Sequence, residues 1–128
     1  MHENDKIRNI LVVDDEENIR EFLKAFLEEN HFNVTLADDG QKALELIEEN
    51  LPDLMICDLL LPGEHGIPLI KTVKEKYFIP TIIISSIYER DQVDDFMEEY
   101  FVEAFFEKPL NLDLLLEKIN SILNDRTV

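Results

Sequence analysis

Five short segments of the sequence predict β-strands, and each is followed by a segment that predicts an α-helix. The first strand is predicted at residues 10–13, a continuous apolar run typical of strands buried on both faces of a parallel sheet. Apolar side chains then recur at helical spacing across Glu17–Glu29, which predicts a helix with one buried face. This alternation continues to the end of the chain. The later strands are predicted at Asn33–Ala37, Leu54–Asp58, Thr81–Ser85 and Ala104–Glu107.

The alternation of strand and helix predicts an α/β fold. Right-handed crossovers place helices on both faces of a parallel sheet, which gives a doubly wound (βα)5 three-layer sandwich. The first, third and fourth strands are the most apolar and are expected at the centre, whereas the more polar second and fifth strands are expected at the edges. The strand order 2-1-3-4-5 meets this requirement, and its switch point lies between strands one and three.

Composition excludes several classes of partner. Twelve Lys and Arg residues stand against 29 Asp and Glu residues, for a formal net charge of −17. Such a surface repels nucleic acid and anionic lipid, so we expect neither direct nucleic-acid binding nor membrane binding. The single cysteine, Cys57, fits a reducing compartment, and together with the absence of an apolar run of membrane-spanning length it predicts a cytoplasmic protein. We expect one domain over residues 1–128, with its core at about residues 7–123.

Polar residues stand where four of the predicted strands end. In a doubly wound sheet the carboxyl ends of the strands form the crevice in which ligands bind. We therefore expect one site to gather the following side chains: Asp14, Asp15, Asp58, Ser85 and Lys108.

The three aspartates predict a metal site. Carboxylates in one crevice repel each other unless some are protonated or a cation neutralises them. Ligands that are all oxygen, with no His or Cys nearby, favour Mg²⁺. Asp58 would then be an in-line nucleophile that forms an acyl phosphate, with Lys108 and the metal absorbing the developing charge. Helix capping is the alternative for Asp14 and Asp15 when these residues are taken alone.

With these residues in order, the chain resembles the receiver domains of two-component response regulators, including the single-domain chemotaxis and phosphorelay types. The resemblance covers nearly the whole chain, and it implies the flavodoxin-like version of the fold with the order 2-1-3-4-5. The residues that carry it are Asp14-Asp15, Gly40-Gln41-Lys42-Ala43-Leu44, Asp58 with Leu61-Pro62 downstream, Ser85, and Lys108-Pro109-Leu110.

The resemblance implies a role for each site residue. Asp58 would be the phosphoacceptor, with Asp15 a direct Mg²⁺ ligand and Asp14 acting more through water. The backbone carbonyl of Leu60 would complete the protein ligands, and Lys108 would bind the phosphoryl group. The family pattern also implies a switch hydroxyl, a switch aromatic and a cis peptide bond, which fall on Ser85, Phe105 and Lys108-Pro109.

The resemblance also implies partners. A sensor histidine kinase or a histidine phosphotransfer protein would donate the phosphoryl group. A downstream protein or a fused output domain would read the surface formed by the fourth strand, the fourth helix, the fifth strand and the fifth helix. The receiver would catalyse its own phosphorylation and dephosphorylation without being an enzyme in the usual sense. Three other classes stay open: a flavodoxin, a phosphatase with an Asp nucleophile, and a scaffold that never uses phosphate.

Two departures from the family pattern stand out. Phe101-Val102 replaces the usual pair of small residues at the end of helix four, so we expect the turn into strand five to be remodelled. Leu60 and Ile87, two places beyond the acceptor and the switch hydroxyl, are both apolar. We expect these two side chains to shield the acyl phosphate from water and to prolong its lifetime.

Overall fold

The computed structural model describes residues 6–61, 66–86 and 90–125. Strands and helices alternate along the chain, as the hydrophobic pattern predicts. In chain order they are β1 Asn9–Val13, α1 Glu17–Glu29, β2 Asn33–Ala37, α2 Gly40–Glu49, β3 Leu54–Asp58, α3 Gly66–Thr72 with a π-helical continuation Val73–Tyr77, β4 Thr81–Ser85, α4 Arg90–Tyr100, β5 Ala104–Glu107 and α5 Leu112–Asp125.

The five strands form one parallel sheet in the order β2-β1-β3-β4-β5, which confirms the predicted topology. Asp58 pairs with Ile84 across β3 and β4, and Ser85 pairs with Glu107 across β4 and β5. The register therefore brings the carboxyl ends of the central strands to one edge of the sheet.

Each face of the sheet carries its own core. On one face Val12, Ile56 and Ile84 pack with residues of α1 and α5, including Leu27 and Ile119. On the other face alternate strand residues pack with residues of α2, α3 and α4. The strand residues of this second core are Leu11, Val13, Met55, Cys57 and Ile83. The chain is thus the three-layer sandwich that the sequence predicts, and its central strands are buried on both faces, as apolar runs require.

Side-chain caps fix two helix starts. Asp39 Oδ1 accepts a hydrogen bond from the Lys42 amide at 2.8 Å, and Asn111 Oδ1 accepts one from the Leu114 amide at 3.1 Å. These bonds satisfy amides that have no partner within the helix. No helix among the described residues combines the length and apolar character that crossing a membrane requires.

The turn from α4 into β5 is not remodelled, which corrects the expectation from Phe101-Val102. Phe101 has a φ of 57° and stands in the left-handed position that usually follows a helix, and the Val102 amide bonds to the Met97 carbonyl at 2.9 Å. The backbone is therefore the ordinary one for a helix end. The difference lies in the side chain, because a phenylalanine occupies a position that favours glycine.

Candidate functional site

The carboxyl edge of the sheet brings the predicted polar residues together. Asp58 is the last residue of β3 and Ser85 the last of β4, while Asp14 and Lys108 directly follow β1 and β5. Hydrogen bonds between backbones continue beyond the strands and hold these positions: the Asp14 amide donates to the Ala37 carbonyl at 3.1 Å, and the Lys108 amide donates to the Ser85 carbonyl at 2.9 Å. The site is thus built on ordered strand ends.

Three carboxylates form the acidic part of the site. Asp14 and Asp58 are buried and Asp15 is exposed, and one oxygen from each lies within 4.8 Å of those of the other two. Asp58 Oδ1 accepts a hydrogen bond from the Leu60 amide at 3.0 Å. Asp14 Oδ1 accepts one from the Glu16 amide at 2.9 Å, so this carboxylate stabilises the loop before α1. Neither Asp14 nor Asp15 caps α1, because Glu16 is the residue at the cap position.

Lys108 bridges the two buried carboxylates. Its Nζ lies 2.9 Å from Asp58 Oδ2, to which it donates a hydrogen bond, and 2.8 Å from Asp14 Oδ2. Burial of the side chain lowers the pKa of Lys108, but the adjacent Asp14 and Asp58 carboxylates raise it by more, so the pKa stands above its usual value. The ammonium group is therefore held in its charged form. The Lys108-Pro109 peptide bond is cis, as predicted.

The buried Asp14 carboxylate has few partners for its negative charge. Its Oδ2 is near the Lys108 ammonium but accepts no hydrogen bond of normal geometry from the described residues. Burial raises the pKa of the Asp14 carboxyl, although Lys108 and the Glu16 amide act in the opposite direction. With all three aspartates ionised, a single ammonium leaves two negative charges uncompensated. A set of carboxylate ligands with this excess negative charge fits a divalent cation such as Mg²⁺.

Of the two residues predicted to act as a switch, one ends the strand next to Asp58 and the other lies further back on the adjacent strand. Ser85 is buried at the end of β4, which neighbours β3 and its terminal Asp58. Phe105 pairs with Ile83 in the adjacent strand and is partly buried against the core on that face. Of the two residues predicted to shield the acyl phosphate, Leu60 is partly buried next to Asp58, and Ile87 lies outside the described residues, as does Pro62.

Two residues near the site have no counterpart in the sequence-based prediction. A Cβ at Gly66 would stand 2.4 Å from the Asp58 carbonyl oxygen and 3.1 Å from the Leu59 Cα, and the Gly66 amide donates to the Leu59 carbonyl at 2.7 Å. Gly66 thus allows the start of α3 to press against the backbone of the candidate acceptor. Arg20 donates from Nη1 to the Asp14 carbonyl at 2.7 Å. The sequence marks Gly66 only as part of a turn, and Arg20 only as a polar residue of α1.

Comparison with known proteins identifies the family. A family model described as the response regulator receiver domain matches residues 10–120. The chain therefore belongs to the response regulator receiver domain family of two-component signalling, whose members act as signalling switches.

Similar proteins place this domain in different contexts. Response regulator RR06 of Streptococcus pneumoniae is 36% identical over 115 residues, which cover 90% of this chain and 52% of that protein. A cyclic di-GMP phosphodiesterase of Thermotoga maritima is 33% identical over 117 residues, which cover 91% of this chain and 31% of that protein. The chain thus spans about half, or less, of these curated relatives. A solved two-component response regulator from Clostridium difficile is 28% identical with a TM-score of 0.89, and the match covers 94% of this chain and 99% of that one.

Proposed function

We propose that Asp58 accepts a phosphoryl group from a phosphohistidine of a sensor histidine kinase or a histidine phosphotransfer protein. The observation that carries this proposal is the way in which the Asp58 carboxylate is held. Its two oxygens have different donors, the Leu60 amide and the Lys108 ammonium, and it stands at the end of a buried strand. A carboxylate oriented in this way is a suitable nucleophile for in-line attack on phosphorus.

Mg²⁺ would be held by Asp14, Asp15, Asp58 and the backbone carbonyl of Leu60. The closeness of the three carboxylates, whose charge Lys108 alone does not balance, supports this ligand set. The exposed Asp15 would bind directly, and Asp14 would act more through water. The bound ion would offset the negative charge that the carboxylates and the phosphoryl oxygens share.

In the transfer step, an Asp58 oxygen forms a bond to phosphorus while the bond from phosphorus to the histidine nitrogen breaks. The imidazole leaves with that electron pair and takes up a proton from water. Lys108 already lies against the acceptor and would pair with the phosphoryl oxygens as they arrive. The receiver supplies these groups itself, so it would catalyse its own phosphorylation and dephosphorylation and act as a switch.

Phosphorylation would be read through Ser85 and Phe105. The Ser85 hydroxyl would donate a hydrogen bond to a phosphoryl oxygen, and the partly buried Phe105, which pairs with Ile83 on the neighbouring strand, would move inward. The phosphoryl group would then favour a minor conformation that already exists, by an amount equal to its differential binding to the two states. The changed surface would be that of β4-α4 and α4-β5-α5.

The domain organisation, location and partners of the chain follow from the same function. Residues 1–128 would form a single receiver domain that works in the cytoplasm, which the lone buried thiol of Cys57 fits. A downstream protein or a fused output domain would receive the signal. The acidic surface favours a protein partner over direct contact with nucleic acid or membrane.

Intact-mass measurement after incubation with acetyl phosphate, with and without Mg²⁺, tests the central assignment. We expect the chain to gain one phosphoryl group only when Mg²⁺ is present, and the Asp58→Asn variant to gain none. Asp53→Asn is the matched control, because Asp53 lies at the opposite end of β3, where its carboxylate accepts a hydrogen bond from the Asn9 amide. Phosphorylation of Asp58→Asn to the wild-type extent would refute the proposal.

A further inference from the structure

The amino end of the sheet, opposite the candidate phosphorylation site, exposes a group of apolar side chains. The structure describes six large apolar residues that are exposed, and four of them closely precede β1, β3, β4 and β5: Ile7, Leu51, Phe78 and Phe101. Because these strands are consecutive neighbours in the sheet, the four residues follow one another along a single edge. Grouped apolar exposure of this kind marks interaction surfaces.

Two phenylalanines dominate this edge. Phe78 is 73% exposed and Phe101 is 80% exposed, more than any other large apolar residue that the structure describes. Neither belongs to the core on either face of the sheet. Both line one open groove of about 510 Å³, which lies between the end of the π-helical continuation of α3 and the end of α4. Tyr100 contributes a third ring to the same groove.

The backbone at both rings has an unusual conformation held by hydrogen bonds. Phe78 and Phe101 each have a φ of 57°, a left-handed conformation that side chains larger than glycine seldom adopt. The Phe78 amide donates to the Val73 carbonyl at 2.9 Å, and the bond from Val102 to Met97 closes the turn at Phe101. Neither ring gains core packing in return for this conformation. A binding surface, by contrast, benefits from rigid aromatic anchors, because little entropy is lost on binding.

The charge of the groove indicates the chemistry of its partner. Lys74 is the one basic residue among the described residues of its lining, and its Nζ is paired with Glu103 at 2.9 Å. The same Glu103 oxygen accepts a hydrogen bond from the Thr81 amide at 2.8 Å, so the pair forms part of the framework. Glu75 and Glu99 are exposed at the groove and have no ion-pair partner among the described side chains. The groove therefore offers apolar contact area together with negative charge.

We propose that this groove, lined by Phe78, Phe101, Glu75 and Glu99, binds a basic polypeptide segment of a partner protein that also carries apolar side chains. Apolar side chains of the segment pack between the two phenyl rings, and its Lys or Arg residues pair with the two glutamates. A second copy of this chain is a poor occupant, because it would bring the same glutamates and a net charge of −17 to the interface. Anionic lipid is repelled for the same reason. The surface lies at the opposite end of the strands from Asp58, so the proposal does not depend on the phosphoacceptor function.

The test is a titration of the isotope-labelled, full-length chain, followed by amide NMR shifts, with a synthetic peptide of leucine and lysine. A second peptide with every leucine replaced by serine keeps the charge and removes the apolar contacts. We expect the first peptide to shift amides around Phe78 and Phe101, and the second to bind about tenfold more weakly or worse. Equal affinity for the two peptides would mean that the chain attracts any cation, and it would overturn the proposal.

Matched variants locate the binding. Phe78→Asn and Phe101→Asn remove a ring while keeping a residue that tolerates the left-handed conformation, so the fold should be retained in thermal melts. Each should weaken the leucine peptide about tenfold. Phe22→Asn is the control, because Phe22 is a phenylalanine 52% exposed on α1, away from the groove. An equal loss in Phe22→Asn would contradict the assignment.

The remaining occupants are tested directly. Sedimentation of the chain alone should show no self-association through this edge, and flotation with vesicles of anionic lipid should recover no protein. Self-association abolished by Phe101→Asn would assign the groove to a second copy, and flotation abolished by Phe101→Asn would assign it to a membrane. Either result would overturn the proposed partner.

Discussion

At the carboxyl end of the sheet, charged groups are buried in contact with one another, whereas at the amino end apolar rings are left in solvent. The Lys108 Nζ lies within 3 Å of one carboxylate oxygen of Asp14 and one of Asp58. Burial raises the pKa of Asp14. Phe78 and Phe101 stand in left-handed turns with most of their surface exposed. Neither arrangement is the one that would stabilise the fold most, since buried charge and exposed apolar surface both carry a free-energy cost. The core lies between the two ends and carries the stability.

The largest expected effect concerns the reaction at the carboxyl end. Lys108→Ala should slow phosphorylation by acetyl phosphate by about 10²-fold or more, because the ammonium that contacts Asp58 among the described residues is removed from the transition state. Quench-flow or timed intact-mass measurements at saturating Mg²⁺ give the rate. Lys74→Ala is the control, since this lysine is paired with Glu103 at the amino end. An unchanged rate in Lys108→Ala would remove the lysine from the mechanism.

The next effect is structural and comes from Gly66. Gly66→Ala should lower the free energy of unfolding by about 1–3 kcal/mol, because its Cβ would stand 2.4 Å from the Asp58 carbonyl oxygen. Denaturant unfolding measures the loss. Gly40→Ala, at the first residue of α2, should be neutral or stabilising, because alanine is favoured over glycine in a helix. Equal stabilities of Gly66→Ala and wild type would show that α3 can retreat from β3 at no cost.

Substitution of Asp14 measures the cost of burying a charge at the carboxyl end of the sheet. Its pKa is raised in the fold, so its protonated form is the one that folding favours. The stabilisation is present below the pKa of the unfolded chain and is lost as the pH rises through the pKa of the folded state. In metal-free buffer at neutral pH, Asp14→Asn should therefore raise the free energy of unfolding. Thermal melts from about pH 3 to about pH 8, a range that begins below the usual Asp pKa of about 3.9 and ends above neutral pH, measure the difference.

Mg²⁺ should reverse this order. If the ion binds the aspartate cluster, added Mg²⁺ should raise the melting temperature of the wild type and should do so much less in Asp14→Asn. Asp38→Asn is a suitable control, since Asp38 is exposed directly after β2 and does not belong to the cluster. Equal stabilisation of both variants by Mg²⁺ would place the ion elsewhere.

The strands and the residues at their ends could be predicted from hydrophobic periodicity and sheet topology. Close contacts between backbone segments could not. Apolar runs located the strands, and their relative polarity separated central strands from edge strands, because burial on both faces leaves a strong compositional record. The full strand order rested also on the family resemblance. The strand ends then placed Asp14, Asp58 and Lys108 at one edge. The close approach of Gly66 to the Asp58 backbone leaves no such pattern in the sequence, since a glycine in a turn can be required for many different reasons. Phe101 misled the prediction because an unusual side chain suggested an unusual turn, whereas the hydrogen bonds of the helix end hold the backbone in its usual form.

The smallest effect, at the amino end, separates conformational strain from packing. Phe101→Gly should raise the free energy of unfolding, or leave it within about 1 kcal/mol of the wild-type value, because glycine removes the left-handed strain but gains more freedom in the unfolded chain. Phe22→Gly should lower it by about 0.5 kcal/mol, because glycine is a poorer helix former and Phe22 lies within α1. Phe101 is 80% exposed, so loss of contact area contributes little to its change, whereas Phe22 is 52% exposed and its lost contacts add to the effect of helix propensity. A substantial loss of stability in Phe101→Gly, measured by denaturant unfolding, would mean that the ring supports the fold. If stability is instead maintained, the structure has no need of a phenylalanine at this turn, which leaves recognition of a partner as the reason for its exposure.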